Sequence, residues 1–149
     1  MFVKEGQDTM KLKLFYPDQG SGLVLPAVGH ISAGFPSPAD DYLEAVLDLN
    51  ELLIKNPSAT FYGTAQGDSM RGAGVESGDL LVIDKAVPYR HNALAVCYLD
   101  GEFTLKRLQK EGEDLYLMPA NPDYPPLKLR EGNDFAVWGI VTYIIKKVY

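Results

Sequence analysis

From Thr60 onward, apolar residues fall in short runs cut by turn residues. The runs are Phe61–Gln66, Leu80–Asp84, Ala93–Leu99, Glu102–Leu108, Leu115–Pro119, Leu127–Leu129 and Phe135–Lys146. Runs this frequent, with no long helix between them, predict a mainly β fold, a compact antiparallel β domain. The last run carries the longest apolar stretch and is expected to be buried, as one strand or as two with a bend at Gly139. Asp100-Gly101 between two runs predicts a two-residue type I′ hairpin. That turn pairs Leu99 with Glu102 and Ala95 with Lys106. Lys106 then shares a face with Thr104 and, across the ladder, with Ala95 and Cys97.

The first sixty residues are patterned differently. Met1–Met10 is polar and unpatterned, as expected of a tail. Lys11–Tyr16 alternates like a short strand, and Pro17–Gly22 has loop composition. Leu23–Val28 reads as extended, with Pro26 keeping it away from the centre of any sheet. Gly29–Pro38 holds two glycines and two prolines and reads as an extended linker. Ala39–Leu47 and Asp48–Lys55 read as helices, with Asp48 as N-cap, Glu51 at the capping-box position, and Asn56-Pro57 as the stop. The preceding arm and linker are thus set apart from a β body.

Composition narrows the classes. A chain of 149 residues, 46% apolar and 23% charged, suits one ordinary globular domain. Its net charge of −6 lacks the clustered Lys and Arg that phosphate backbones require, so direct DNA binding is not expected. A lone Cys97 forms no internal disulfide. His30 and His91 lie far apart, and the metal-ligand spacing of a structural site is missing, so no metal or cofactor is expected. No apolar run approaches membrane-spanning length and the N-terminus has no signal-peptide core, which makes the cytoplasm the expected location.

The candidate chemistry is a pair. Ser69, in Gly67-Asp68-Ser69-Met70, falls on a turn at the end of a strand; Lys106 lies on the hairpin. A serine hydroxyl needs a base, and a lysine can be that base when burial strips its charge. The small neighbours Ala95 and Cys97 leave room around the amine and offer it no carboxylate. Taken singly, a serine in a turn and a lysine on a strand are more often structural. Ala33-Gly34 puts small residues on both sides of a bond in the extended linker, which gives a nucleophile little hindrance.

Taken together, Ala33-Gly-Phe-Pro-Ser-Pro-Ala-Asp-Asp-Tyr42, Asp48–Ile54, Asn56–Thr60, Gly67–Met70, Ser77–Leu81, Asp100–Lys106 and Phe135–Val141 resemble the LexA/UmuD family. These are self-cleaving serine peptidases of the bacterial SOS response, and the UmuD-like members are the most similar. The match starts at Ala33 and runs in family order. The resemblance implies that Ser69 attacks the Ala33-Gly34 bond, that Lys106 is the general base, and that the backbone N–H groups of Asp68 and Ser69 hold the oxyanion. It implies removal of an arm, residues 1–33, from a peptidase and polymerase-accessory domain, residues 34–149. It also implies a RecA–single-stranded-DNA filament as activator, a homodimer, and a UmuC-like Y-family polymerase as partner in translesion synthesis. A LexA-type repressor would need a DNA-binding domain, for which the arm is short, and a signal peptidase would need a membrane anchor. A non-catalytic interaction module would have no need of Ser69, Lys106 and Ala33-Gly34 together.

Overall fold

The Asp100-Gly101 turn is where local sequence rules and the final architecture meet first. In the computed structural model, which describes residues 13–15, 24–28, 33–35 and 43–149, Asp100 and Gly101 have φ of 47° and 91°. Positive φ at both positions is the type I′ requirement, easy for Asp and free for Gly. The turn joins β6 (Leu94–Leu99) to β7 (Glu102–Glu111) with Leu99 opposite Glu102 and Ala95 opposite Lys106. The predicted register is the observed one. Beyond the turn, Asp100 accepts hydrogen bonds from Asn133 Nδ2 and the Asp134 N–H, each at 2.8 Å, which clamps the hairpin to the start of the last strand.

The chain divides into two compact units, residues 1–17 with 56–149, and residues 18–55. In the first unit an antiparallel eight-stranded sheet runs in the order β1-β4-β5-β10-β6-β7-β8-β9. Here β1 is Lys13–Phe15, β4 Thr60–Thr64, β5 Leu80–Asp84, β8 Asp114–Met118, β9 Leu127–Lys128 and β10 Phe135–Ile145. β10 is a single strand that pairs with both β5 and β6, and its register shifts between Val137 and Gly139 and again between Val141 and Tyr143. The expected bend at Gly139 is therefore a bulge beside Trp138, which packs on Phe61 and Phe103 with centroids 4.8 and 5.3 Å away.

Alternation along the strands sorts the buried side chains into two clusters. Met70, Val75, Leu81, Ile83, Val96 and Leu105 form one; Ala95, Cys97, Leu108, Leu117 and Ile140 form the other. Burying a large apolar side chain contributes about 1.5–3 kcal/mol, so Met70, fully buried, anchors the turn that follows β4.

The second unit departs from the sequence reading. β2 (Val24–Val28) pairs antiparallel with β3 (Leu43–Asp48), and only Leu49–Leu53, α1, is helical. Leu43–Leu47 was expected to continue a helix. Instead a neighbouring strand supplies a ladder, and pairing outweighs the modest helix preference of Leu-Glu-Ala-Val-Leu. Asp48 does cap α1: its carboxylate accepts the Asn50 N–H at 2.8 Å. His30 and the expected tail Met1–Met10 lie outside the described residues.

Candidate active site

After β4 the chain leaves the sheet through Gly67, at φ 103°, and turns at Ser69 and Met70 into a short 3-10 turn, Arg71–Ala73. Met70 is drawn into the core on one side of the segment, and Ser69 itself is fully buried. Lys106 sits mid-strand on β7, 6% exposed, facing Ala95. The two meet: Lys106 Nζ lies 3.0 Å from Ser69 Oγ. The same nitrogen donates to Thr104 Oγ1 at 3.2 Å and to the Leu105 carbonyl at 3.1 Å. All three are neutral oxygens. A neutral amine has two N–H groups and one lone pair. On a neutral amine whose hydrogens go to Thr104 and Leu105, a lone pair can face the serine hydroxyl, the geometry that general-base activation needs.

Cys97 reports on the same environment. Burial pushes its thiol up to about 12, while the nearby Lys106 pulls it the other way.

The serine segment is held from elsewhere in the chain. The loop after β8 runs Pro119-Ala-Asn-Pro-Asp-Tyr124. In it the Ala120 N–H donates to the Ser69 carbonyl at 2.8 Å, and the Ala120 carbonyl accepts the Gly72 N–H at 2.6 Å. A β-carbon at position 72 would overlap that carbonyl oxygen, so only glycine permits the approach. Asn121 Nδ2 donates to the Asp68 carbonyl at 3.0 Å while its Oδ1 accepts the Asp123 N–H at 3.0 Å. Tyr124 Oη donates to the Asp68 carboxylate, which also faces Arg71 in an exposed pair of little energetic weight. With the Asp68 carbonyl turned to Asn121, the planar peptide directs the Ser69 N–H the opposite way. Among the described residues neither the Asp68 nor the Ser69 N–H has an acceptor. A groove of about 640 Å³, lined by Gly67, Asp68, Arg71, Val75, Glu76 and Ser77, lies along this segment.

The structure thus brings together Ser69, Lys106 and Asp68, which the sequence singled out, with Asn121 and Tyr124, which it did not. Their only signal was turn composition, which predicts a loop and says nothing of what it touches. Ala33 and Gly34 belong to the 18–55 unit, where they are exposed in a bend that includes Phe35. His91 is exposed in a turn. Among the described residues there is no group of three His, Cys, Asp or Glu suited to a metal, and no helix long and apolar enough to cross a membrane.

Comparison with known proteins agrees with this fold. Residues 26–142 match the Peptidase S24-like family. The chain is 48% identical over 115 residues to protein SamA of Salmonella typhimurium, covering 77% of this chain and 79% of that one. It is 44% identical over 115 residues to protein ImpA of Escherichia coli, covering 77% and 78%. To protein MucA of Escherichia coli it is 39% identical over 114 residues, covering 76% and 77%. The chain therefore belongs to the Peptidase S24-like family, as a UmuD-like member of its LexA/UmuD group.

Proposed function

We propose that the chain is a serine peptidase that cuts its own Ala33-Gly34 bond. The observation that carries this reading is the 3.0 Å approach of Lys106 Nζ to Ser69 Oγ inside a buried site. Lys106, neutral, takes the Ser69 proton as Oγ bonds to the Ala33 carbonyl carbon. The Asp68 and Ser69 N–H groups face the oxyanion, and preorganised donors of this kind are often the largest catalytic contribution. Lys106 then gives its proton to the Gly34 nitrogen as the C–N bond breaks, leaving Ala33 esterified to Ser69. Water, deprotonated by Lys106, hydrolyses that ester and restores the serine.

The products are an arm, residues 1–33, and a domain, residues 34–149. By family membership we assign the reaction to the SOS response in the cytoplasm, stimulated by a RecA–single-stranded-DNA filament. The truncated homodimer then serves a UmuC-like Y-family polymerase in translesion synthesis. Mass measurement of the purified chain after long incubation at alkaline pH tests the chemistry. A single new species beginning at Gly34 is expected, absent from Ser69→Ala. Any other new N-terminus overturns the assignment of the bond.

A further inference from the structure

The two edges of the large sheet are built differently. β9, at one end, is two residues long, carries Lys128 and follows Pro125-Pro126. Short length, a lysine and prolines are the devices that keep an edge from pairing with other chains. β4, Thr-Phe-Tyr-Gly-Thr, has no charge and no proline. What covers it is β1, which pairs Lys13, Leu14 and Phe15 with Thr64, Gly63 and Tyr62.

Backbone direction along β4 follows from its two ends. The Ala59 carbonyl accepts the Lys85 N–H, and Ala65 exchanges hydrogen bonds with Gly78 and Asp79, all on the β5 side. Groups alternate along a strand, so Phe61 and Gly63 also face β5. Tyr62 and Thr64 then face β1, opposite the backbone groups of Phe15 and Lys13, while those of Leu14 point away.

β1 lies upstream of Ala33-Gly34 and therefore belongs to the piece that cleavage would detach. We propose that cleavage uncovers the Tyr62–Thr64 edge and that an extended, alternating basic and apolar segment of a partner protein docks there as an added strand, in the place of β1. The proposal rests on the cleavage assigned above. Three residues of pairing hold a free peptide only at concentrations on the order of millimolar or higher, about what a covalent tether supplies. Once cut, the arm leaves. The occupant follows from what the edge already accepts, a strand from the run Lys-Leu-Lys-Leu-Phe-Tyr. Charge favours the same class: residues 1–33 hold three lysines against three acids, so the remaining domain keeps the net −6 and attracts a basic segment.

Amide hydrogen exchange on the full chain tests this. With Ser69→Ala, which stays uncut, the Tyr62 and Thr64 amides should exchange slowly. In the self-cut wild type they should exchange at least about tenfold faster. Lys13→Pro in the Ser69→Ala background removes an N–H that faces Thr64 and should open the edge without any cleavage; Leu14→Pro, whose N–H points outward, should leave it closed. A synthetic peptide of residues 11–16 at millimolar concentration should shift the Tyr62 and Thr64 amide resonances in the cut chain and in Lys13→Pro, and not in uncut Ser69→Ala. Unchanged protection in Lys13→Pro overturns the capping role whether or not the wild type cuts itself. A wild type that stays whole while Lys13→Pro opens and binds peptide removes only the cleavage reading. Protection that survives cutting, or that returns through self-association with no response to the peptide, overturns the docking surface.

Discussion

Lys106 and Ser69 touch, yet they are positioned by opposite means. Lys106 is one residue in a ladder: β7 pairs with β6 through six consecutive residue pairs and with β8 through five. Its height and facing are set by a two-residue turn five positions away, and losing any single ladder bond would leave the rest. Ser69 lies outside the sheet. Its carbonyl, that of Asp68 and the N–H of Gly72 are held by Ala120 and Asn121, about fifty residues later. Each of those bonds is singular. Lys106 is placed by redundancy and Ser69 by a few specific contacts, so the two should fail in different ways.

The largest expected effect comes from the chemistry itself. Lys106→Arg and Ser69→Ala should each lower self-cleavage by about a thousandfold or more while the sheet stays folded. In the wild type the rate should rise with pH and level off once Lys106 is neutral. The arginine variant should be inactive throughout, because a guanidinium keeps its proton. An arginine variant that cuts with the wild-type pH profile would remove Lys106 from the mechanism.

Smaller losses should follow when the serine side alone is loosened. Gly72→Ala pushes a methyl group against the Ala120 carbonyl and should destabilise by about 1–3 kcal/mol, with cleavage slowed about a hundredfold. Asn121→Ala should slow it about tenfold, the worth of one lost hydrogen bond to a buried segment. In both, the pH at which the rate levels off should not move, because Thr104, Leu105 and Cys97 still surround the amine. A shifted profile in either variant would show that base and nucleophile are not separable.

Cys97 sharpens the lysine side. Its thiol, raised from 9.0 to about 12 chiefly by burial, should resist thiol reagents near pH 8 until the chain unfolds. Between pH 9 and 12 the unfolded chain loses this proton and the folded one keeps it, so stability is full below pH 9 and falls as pH rises through that window. Urea midpoints at pH 8 and 10.5 should differ more in the wild type than in Cys97→Ala. Cleavage profiles are accordingly best recorded below pH 9, the onset of that loss. The smallest effect belongs to Tyr124→Phe, which removes one bond to the Asp68 carboxylate and should slow cleavage by less than about tenfold. A loss as deep as that of Gly72→Ala would place the tyrosine in the centre of the site.

The same contrast explains what could be read in the sequence. The register that puts Lys106 opposite Ala95 follows from Asp100-Gly101 and a count of five residues, all of it local. Ser69 could be placed on a turn by Gly67-Asp68, but its support could not, since nothing in Ala120-Asn121-Pro122 names a distant carbonyl as its partner. Leu43–Leu47 misled for a related reason: its residues suit a helix well enough, and only the presence of β2 makes it a strand. Asp48, whose capping bond reaches two residues ahead, was legible because its partner is close in the chain.

The position of β10 has a consequence during synthesis. Among the described strands it is made last, and among them it alone pairs with both β5 and β6, joining the half of the sheet that leads to Ser69 with the hairpin that carries Lys106. A nascent chain that has not yet released Phe135–Ile145 from the ribosome has both residues and no strand to unite their halves. Such non-local closure is slow compared with hairpin formation. On the proposed reading, the order of the strands thus acts as a timer: the halves that position Ser69 and Lys106 are joined by a ladder only after Phe135–Ile145 has emerged.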